Sequence, residues 1–263
     1  MGASMQVGGP AAGAQANWSD VRGRRVVLTG AGRGLGRLLA TAFDAAGAEL
    51  ALVARSEDSL RELADGLTGE PLVCAGDVRD ADFNASVAAG MVERFGGLDV
   101  WIANAGVSPE YRGVLETDPA TWREIVDVNL TGAFLGARAA AAVMGEGSRI
   151  VVTGSVLGRR PLGGLAAYSA SKGGVEALVQ VLAQELGPRG ITANTVALGW
   201  FDTGMGAHWH KSSERERGIG AHTALGRWGT GSDLAGAYLF LASASSAYVT
   251  GTTITVDGGY SLL

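Results

Sequence analysis

Apolar runs of strand length alternate with segments of helical periodicity from Arg24 to the end of the chain, and this alternation strongly constrains the fold. Seven such runs are present: Arg25–Thr29, Glu49–Val53, Pro71–Cys74, Leu98–Ala103, Arg149–Gly154, Ile191–Leu198 and Thr252–Val256. Strands that are apolar throughout, each followed by a helix, are typical of a parallel sheet covered on both faces. Right-handed crossovers then predict a doubly wound α/β fold, which binds ligands at the carboxyl ends of its strands.

In two of the segments between these runs, the apolar residues recur at helical spacing and form one buried stripe along a helix. One stripe is formed by Leu35, Leu38, Leu39, Ala42, Phe43 and Ala46, and another by Val175, Leu178, Val179, Leu182 and Leu186, which Gly187-Pro188 terminates. No linker or repeat interrupts the pattern. We therefore predict one Rossmann-like domain over residues 21–263, with a parallel sheet of about seven strands. Residues 1–20 are small and Gly/Ala-rich, and we expect a disordered tail there rather than a signal peptide.

Composition excludes several classes of protein. No apolar run approaches the ~18 residues of a membrane span, and the net charge of -5 argues against a general nucleic-acid binder. The single cysteine, Cys74, cannot form an intramolecular disulfide, so a cytoplasmic location is expected. Glycine is abundant, at 42 of 263 residues.

Part of this glycine lies in a loop that joins the first run to the first helix. The loop reads Thr29-Gly30-Ala31-Gly32-Arg33-Gly34-Leu35-Gly36, a T-G-x-x-x-G-x-G pattern. Its glycines allow close approach of a pyrophosphate, and the helix N-terminus offers unpaired N–H groups. We predict that Gly30, Gly34, Leu35 and Gly36 bind a dinucleotide; the alternative is a plain glycine-rich turn.

Two arginines indicate which dinucleotide is bound. About 20 residues beyond the loop, an acidic residue would bind the ribose 2′-hydroxyl of NAD, but Arg55 follows the second strand instead. Arg33 projects from the phosphate loop itself. Two guanidinium groups suit a 2′-phosphate, so we predict NADP(H), with NAD(H) the weaker alternative. The other interpretation of Arg55 is a solvated residue at a helix start.

Polar and small residues follow the next two strands. Asp77-Val78 can read an adenine edge through a carboxylate and a backbone N–H group. Asn104-Ala105-Gly106 allows the chain to pass beneath a ribose. Each is predicted to bind the cofactor, although Asp, Asn and Gly also favour ordinary turns.

Tyr168 and Lys172 lie four residues apart at the start of a helix, and Ser155 precedes Tyr168 by 13 residues. A nearby ammonium lowers the pKa of a phenol from its ordinary value near 10 and so prepares it for proton transfer. Ser155 is suited to hydrogen-bond the substrate oxygen. Tyr168 and Lys172 are also predicted to bind the cofactor, with the ammonium donating to its ribose. Lysine is rare here, only Lys172 and Lys211 among 21 basic residues. A chance Tyr–Lys pair at this spacing therefore has a probability of about 4%.

From Val21 to Leu263 the sequence resembles the short-chain dehydrogenase/reductase family. The phosphate loop, Asp77-Val78, Asn104-Ala105-Gly106 and the Ser155, Tyr168, Lys172 set match the motifs of that family. The resemblance implies that Asn129 holds a water in a proton relay and is catalytic. It also implies that Gly199 and Thr203 bind the nicotinamide. Leu198 replaces a usual proline, which is expected to loosen this loop, and Ala103 replaces a frequent asparagine.

The combined prediction is an NADP(H)-dependent alcohol dehydrogenase or carbonyl reductase that interconverts a ketone and a secondary alcohol of a small molecule. No metal, nucleic-acid or membrane partner is expected. Two alternatives remain open: a 3-oxoacyl-thioester reductase, and a non-catalytic NADPH-binding sensor or scaffold. The resemblance also implies a homotetramer or homodimer. Small residues at Ala137 and Ala139 to Ala142 and the apolar end Tyr260 to Leu263 suit such packing, although alanine-rich helices also pack internally.

Residues 200–228 are expected to form a substrate lid, with a solvated surface helix at Ser212–Arg217 as the alternative. Its aromatic residues suit an apolar pocket and its histidines, His208, His210 and His222, a polar substrate group. Two histidines at i, i+2 are too few for a metal site. Arg159-Arg160 either binds an acidic substrate or is a solvated pair.

Overall fold

The computed structural model describes residues 20–108, 111–203, 218 and 221–263. Its seven strands form one parallel sheet in the order β3-β2-β1-β4-β5-β6-β7. The strands are β1 Arg25–Thr29, β2 Glu49–Ala54, β3 Leu72–Ala75, β4 Val100–Ala103, β5 Arg149–Ser155, β6 Thr192–Leu198 and β7 Thr253–Val256. The predicted doubly wound α/β fold is confirmed.

Helices connect successive strands and cover both faces of the sheet. They are α1 Gly34–Ala45, α2 Glu57–Ala64, α3 Ala81–Phe95, α4 Pro119–Val126, α5 Gly132–Val143, α6 Ala166–Leu186 and α7 Gly231–Ala242. A π-helical turn, Asp127–Thr131, joins α4 to α5. Short 3₁₀ turns occupy Val156–Gly158, Gly187–Arg189, Ala244–Ser246 and Tyr260–Leu262. Within the described ranges, no helix combines the length and apolar character that a membrane crossing requires.

Two strands differ from their predicted ends for identifiable reasons. Pro71 has no N–H group to donate to a ladder, so β3 begins at Leu72 and continues to Ala75. β4 begins at Val100 rather than Leu98, and just before it Asp99 bonds to Arg25 through both its backbone N–H and its carboxylate. The other shifts are of one residue, at the ends of β2 and β5 and the starts of β6 and β7.

Side chains on the two faces of the sheet form two apolar cores. Helices α3, α5 and α6 cover one face, where Trp101, Met91 and Val175 are fully buried. Helices α1, α2 and α7 cover the other face, where Phe43 and Tyr238 are fully buried. Burial of each large apolar side chain stabilises the fold by about 1.5–3 kcal/mol. The two cores hold the sheet rigid and so fix the positions of the strand ends that form the site.

Two expectations about helix faces require correction. Leu38 does not join the buried stripe of α1, because it lies beside the start of α7 near Gly231 and is 38% exposed. On α5, Ala137 and Ala140 are completely buried in the core of this same chain. They are therefore not free for subunit packing, and the exposed face of α5 carries Phe134 instead.

A buried glycine of α5 provides a test of this packing. A Cβ atom at Gly136 would lie 2.7 Å from Nε1 of Trp101, which is fully buried. Since the indole must then shift, Gly136→Ala is expected to lower the free energy of unfolding by about 1–3 kcal/mol in denaturant titrations.

The matched control is Gly236→Ala in α7, where a Cβ would meet no heavy atom within 4 Å. It is expected to raise the free energy of unfolding by about 0.5–1 kcal/mol. A Gly136→Ala protein as stable as the original chain would contradict the packing described.

Candidate active site

A cleft of about 470 Å³ opens at the carboxyl ends of the central strands. It is lined by all but one of the residues predicted to bind cofactor or to act in catalysis: Gly30, Arg33, Gly34, Leu35, Gly36, Arg55, Asp77, Val78, Asn104, Ala105, Gly106, Ser155, Tyr168, Lys172, Gly199 and Thr203. The exception is Asn129, which is buried beneath the cleft wall. The sheet thus brings together side chains that are up to 173 positions apart, from Gly30 to Thr203.

The glycine-rich loop is compact because two of its glycines allow close backbone contacts. Gly30 has a φ of +70°, and a Cβ there would lie 2.8 Å from Cα of Ala105. A Cβ at Gly36 would lie 2.0 Å from the carbonyl oxygen of Gly30. Arg33 precedes α1 in an extended conformation and provides no side-chain cap. The first N–H groups of α1 are therefore available to an anion in the cleft.

Arg33 and Arg55 are exposed at the end of the cleft beside β1 and β2. In the described part of the chain, neither guanidinium forms a salt bridge with a carboxylate. Ser56, next to Arg55, caps α2 by accepting a hydrogen bond from the backbone of Ser59, and both serines line the cleft. This end therefore presents positive charge and hydroxyl groups, a donor set that fits a phosphate.

Asp77 is held by a residue that the sequence did not single out. The guanidinium of Arg79 donates to both carboxylate oxygens of Asp77, with its shortest contact 2.6 Å from Nη2 to Oδ2. These hydrogen bonds hold the pKa of Asp77 below its ordinary value, and the charge of Arg55 acts in the same direction. The carboxylate stays ionised and fixed in orientation. Asp77 and Arg79 are two residues apart in a turn, so no helical or strand periodicity in the sequence indicated that they pair.

Beneath the centre of the cleft, a buried chain of hydrogen bonds joins α7 to three strands. The Tyr238 hydroxyl lies 2.8 Å from Oγ1 of Thr153, which donates to Oδ1 of Asn104 at 3.2 Å. Asn104 in turn donates to the Thr29 carbonyl at 3.0 Å, and the backbone N–H groups of Asn104 and Ala105 donate to the Thr29 hydroxyl. This chain fixes the Asn104-Ala105 turn. Burial raises the pKa of Tyr238 far above its ordinary value, so it remains a neutral phenol.

Lys172 is the one lysine within the described residues, and it is buried at the centre of the cleft. Its ammonium donates to the Thr153 carbonyl at 2.7 Å and lies 5.8 Å from the centre of the Tyr168 ring. Burial lowers the pKa of Lys172 to about 8. No carboxylate of the described chain forms a salt bridge with Lys172. The ammonium is therefore held beside the Tyr168 ring by a neutral backbone carbonyl.

Tyr168 lies in the first turn of α6, one helical turn before Lys172, as predicted. Burial raises the pKa of the phenol, and the hydrogen bond with Ser155 opposes that rise. The expectation of a lowered pKa is therefore wrong for this geometry, because desolvation of the phenolate outweighs the stabilising contacts. The backbone N–H of Leu157 donates to Oγ of Ser155 at 3.2 Å. This orients the Ser155 proton away from Leu157, which suits donation into the cleft.

Asn129 lies in the π-helical turn and links two walls of the site. Its side chain exchanges two hydrogen bonds with the backbone of Val107, at 2.8 and 2.9 Å. Its second amide hydrogen is donated to Oγ of Ser171, which donates to the Tyr168 carbonyl at 2.7 Å. Both amide hydrogens of Asn129 are thus used within the chain. Ser171 was not identified from the sequence, because its hydroxyl function appears only once α6 packs beside this turn.

The loop after β6 is more ordered than the loss of proline suggested. Leu198 pairs with both Ser155 and Val256 as the last residue of the strand, and it is buried. The backbone N–H of Gly199 then donates to the Val256 carbonyl at 2.9 Å. Leu198 therefore continues the sheet instead of loosening the loop. Thr203 follows and lines the cleft.

Backbone hydrogen bonds join the two described ends of the expected lid. The backbone of Gly229 exchanges hydrogen bonds with Trp200 and Asp202, at 2.9 and 3.0 Å. The Trp200 ring lies 6.0 Å, edge to face, from the rings of Trp228 and Tyr260. Most of the segment lies outside the described residues, including Met205, His208, Trp209, His210 and the proposed surface helix. His222 is exposed and bonds to the Gly218 carbonyl, so it does not line the cleft.

Both arginines after Ser155 are exposed, and each also has a partner within the chain. Arg159 forms a short salt bridge with Glu176 of α6. The Arg160 guanidinium lies 5.6 Å from the centre of the Tyr260 ring and donates to the Tyr260 carbonyl at 2.8 Å. The pair is therefore solvated, as the second interpretation expects, and both guanidinium groups are engaged within the chain.

Comparisons with known proteins agree with this architecture. Residues 30–261 match a family model described as enoyl-(acyl carrier protein) reductase. The chain is 34% identical over 244 residues to the 3-oxoacyl-[acyl-carrier-protein] reductase of Escherichia coli (91% of this chain, 98% of that protein). It is 35% identical over 255 residues to 3beta-hydroxysteroid dehydrogenase 1 of Eggerthella lenta (93% and 96%). A short-chain dehydrogenase of Burkholderia cenocepacia, solved in complex with NADP, superposes with a TM-score of 0.85 at 30% identity (92% and 99%).

Proposed function

The chain belongs to the short-chain dehydrogenase/reductase family, and from this premise we propose that it is an NADP(H)-dependent enzyme that interconverts a ketone and a secondary alcohol of a small molecule. The observation that carries the proposal is the contact of Ser155 with Tyr168 beside the buried Lys172 ammonium. These groups lie near the centre of a cleft, and the end beside β1 and β2 has the charge and shape for a dinucleotide phosphate.

In ketone reduction, Ser155 and Tyr168 donate hydrogen bonds to the carbonyl oxygen and hold the carbonyl carbon in position. NADPH, when bound, supplies the hydride that this carbon accepts. Tyr168 gives its proton to the oxygen as negative charge develops there. The raised pKa of Tyr168 keeps the phenol protonated before the reaction, which is the form an acid catalyst requires.

The ammonium of Lys172 acts on the phenolate that remains. It lies 5.8 Å from the ring centre and stabilises the negative charge until a proton returns. Asn129 contacts neither group directly; it holds the Val107 backbone and, through Ser171, the carbonyl of Tyr168. We therefore propose a positioning role for Asn129, with relay of a water to Lys172 kept as a prediction from the family resemblance.

The choice of NADP(H) follows from the residues at the end of the cleft beside β1 and β2. Arg33 and Arg55 would hold the 2′-phosphate, while Ser56 adds a hydroxyl donor, since the Ser59 hydroxyl already donates to the Ser56 carbonyl. The glycine loop and the start of α1 would hold the pyrophosphate. Asp77 and Val78 would contact the adenine, Asn104, Ala105 and Gly106 the ribose, and Gly199 and Thr203 the nicotinamide amide.

Further proposals concern the whole protein. We propose one domain over residues 21–263, a cytoplasmic location, and a homotetramer or homodimer. The exposed Phe134 and Val143 on α5 and Val181 on α6 provide apolar surface for such an assembly.

Replacement of the proposed acid gives the most direct functional test. Tyr168→Phe removes the transferable proton but keeps the ring and its packing, so turnover of any ketone that the wild type reduces is expected to fall at least 1000-fold. NADPH binding, followed by its fluorescence, is expected to stay within about threefold of the wild type. Full activity in Tyr168→Phe would contradict the mechanism.

The cofactor preference has a separate test. Arg55→Ala is expected to lower kcat/KM for NADPH by about 10- to 100-fold, because a charge-assisted hydrogen bond contributes about 1.5–3 kcal/mol. The value for NADH should change little. Arg61→Ala is the matched control, because Arg61 is paired with Glu57 on α2 outside the cleft lining. A wild-type kcat/KM that is higher with NADH than with NADPH would contradict the assignment.

A further inference from the structure

The cleft has a second region beyond Ser155 and Tyr168, on the side away from the phosphate loop. Its lining is formed mainly by Val107, Tyr111, Val156, Leu157, Leu165 and Trp200, together with Ser108. Within the described residues, this region holds no carboxylate, imidazole, ammonium or guanidinium group. Leu157 and Leu165 are almost fully buried and belong to one apolar cluster with Val156, against which Tyr168 packs. The proposed catalytic phenol therefore adjoins an apolar wall.

One side of this region is fixed by contact between two loops. The backbone N–H of Arg112 donates to the Gly164 carbonyl at 3.0 Å. Gly164 adopts a φ of +84°, and a Cβ there would lie 3.0 Å from Cδ1 of Tyr111. The Tyr111 ring is thus packed on the loop that leads to Leu165. This wall is built from defined contacts rather than from an open loop.

The other side is fixed by an aromatic cluster. Trp228 and Tyr260 both contact Trp200 edge to face, with ring centres 6.0 Å away. Arg160 stacks on Tyr260 and also holds its carbonyl, so its guanidinium supports the wall instead of facing a substrate anion. Tyr111 and Trp200 consequently place two aromatic side chains in the lining of the same region.

We propose, on the basis of the function proposed above, that the substrate is an uncharged, apolar ketone or secondary alcohol that bears a ring next to the reacting carbon. The ring occupies the region between Tyr111 and Trp200, where apolar and aromatic surfaces replace water. A polyol is disfavoured, because each buried hydroxyl without a partner lowers affinity roughly tenfold. A thioester on an acidic carrier is disfavoured, because Arg159 and Arg160 are already engaged.

The reaction follows the proposed chemistry. The carbonyl carbon of the ring ketone gains the hydride of NADPH and its oxygen gains the Tyr168 proton. The ketone becomes the secondary alcohol, NADPH becomes NADP⁺, and the phenolate recovers its proton from solvent.

Three carbonyl compounds test the class of substrate: 2-tetralone as the apolar ring ketone, D-fructose as the polyhydroxylated ketone, and S-acetoacetyl-N-acetylcysteamine as the thioester. With NADPH, kcat/KM for 2-tetralone is expected to exceed each of the others at least 100-fold. A higher kcat/KM for fructose or for the thioester would overturn the substrate class and leave the oxidoreductase function intact.

Binding is measured separately, by calorimetric titration of 2-tetralone into the protein with NADP⁺ present. Binding without turnover of any of the three compounds would support the apolar pocket and overturn the proposed reaction. Failure of 2-tetralone to bind would overturn the pocket. The two proposals therefore fail by different results.

Substitutions at Trp200 and Tyr111 test whether these side chains form the substrate region. Trp200→Ala is expected to raise KM for 2-tetralone at least tenfold, with kcat changed less than threefold and KM for NADPH unchanged. Trp122→Ala is the matched control, because Trp122 is a partly exposed tryptophan of α4 outside this cleft. Tyr111→Ser, at a partly exposed position, provides a second variant if Trp200→Ala fails to fold, with the same expected rise in KM. An unchanged KM in the folded variants would overturn the inference.

Discussion

The hydrogen bond from the buried Lys172 ammonium to the Thr153 carbonyl is the interaction on which the site depends. Thr153 belongs to β5, between strands on both sides, and its own hydroxyl is tied to Tyr238 and Asn104. The carbonyl is therefore fixed by the sheet and by the helix on its far face. Since Lys172 and Tyr168 are one turn apart on α6, fixing the ammonium also fixes the phenol. The doubly wound sheet supplies the rigidity that this pair requires.

Burial acts on the two groups in opposite directions. It lowers the pKa of Lys172 to about 8, because the charged ammonium loses water, and it raises the pKa of Tyr168, because the phenolate would lose water. At neutral pH the pair therefore consists of a neutral phenol and a lysine that is still mostly in its ammonium form. Such a phenol is ready to donate a proton, and the ammonium can stabilise the phenolate that forms. The same desolvation that costs stability prepares the acid for ketone reduction.

The sequence was sufficient for features with a local pattern, and insufficient for contacts between distant residues. Apolar runs revealed the strands, and Tyr168 with Lys172 stood out because lysine is so rare in this chain. Some glycines of the phosphate loop are required by packing within the chain, since Gly36 lies against Gly30 and Gly30 against Ala105. The Thr153–Tyr238 bond joins residues 85 positions apart, and no periodicity predicts it. The one indication of this bond in the sequence was the hydroxyl of Tyr238, which lies among the buried apolar residues of α7.

Burial lowers the pKa of the Lys172 ammonium, and lysine NMR measures this pKa directly. The chain has two lysines, so Lys211→Arg leaves a single lysine resonance in protein labelled with ¹³C at lysine Cε. We expect a titration midpoint for Lys172 near pH 8. A midpoint near the ordinary lysine value of about 10.4 would contradict it.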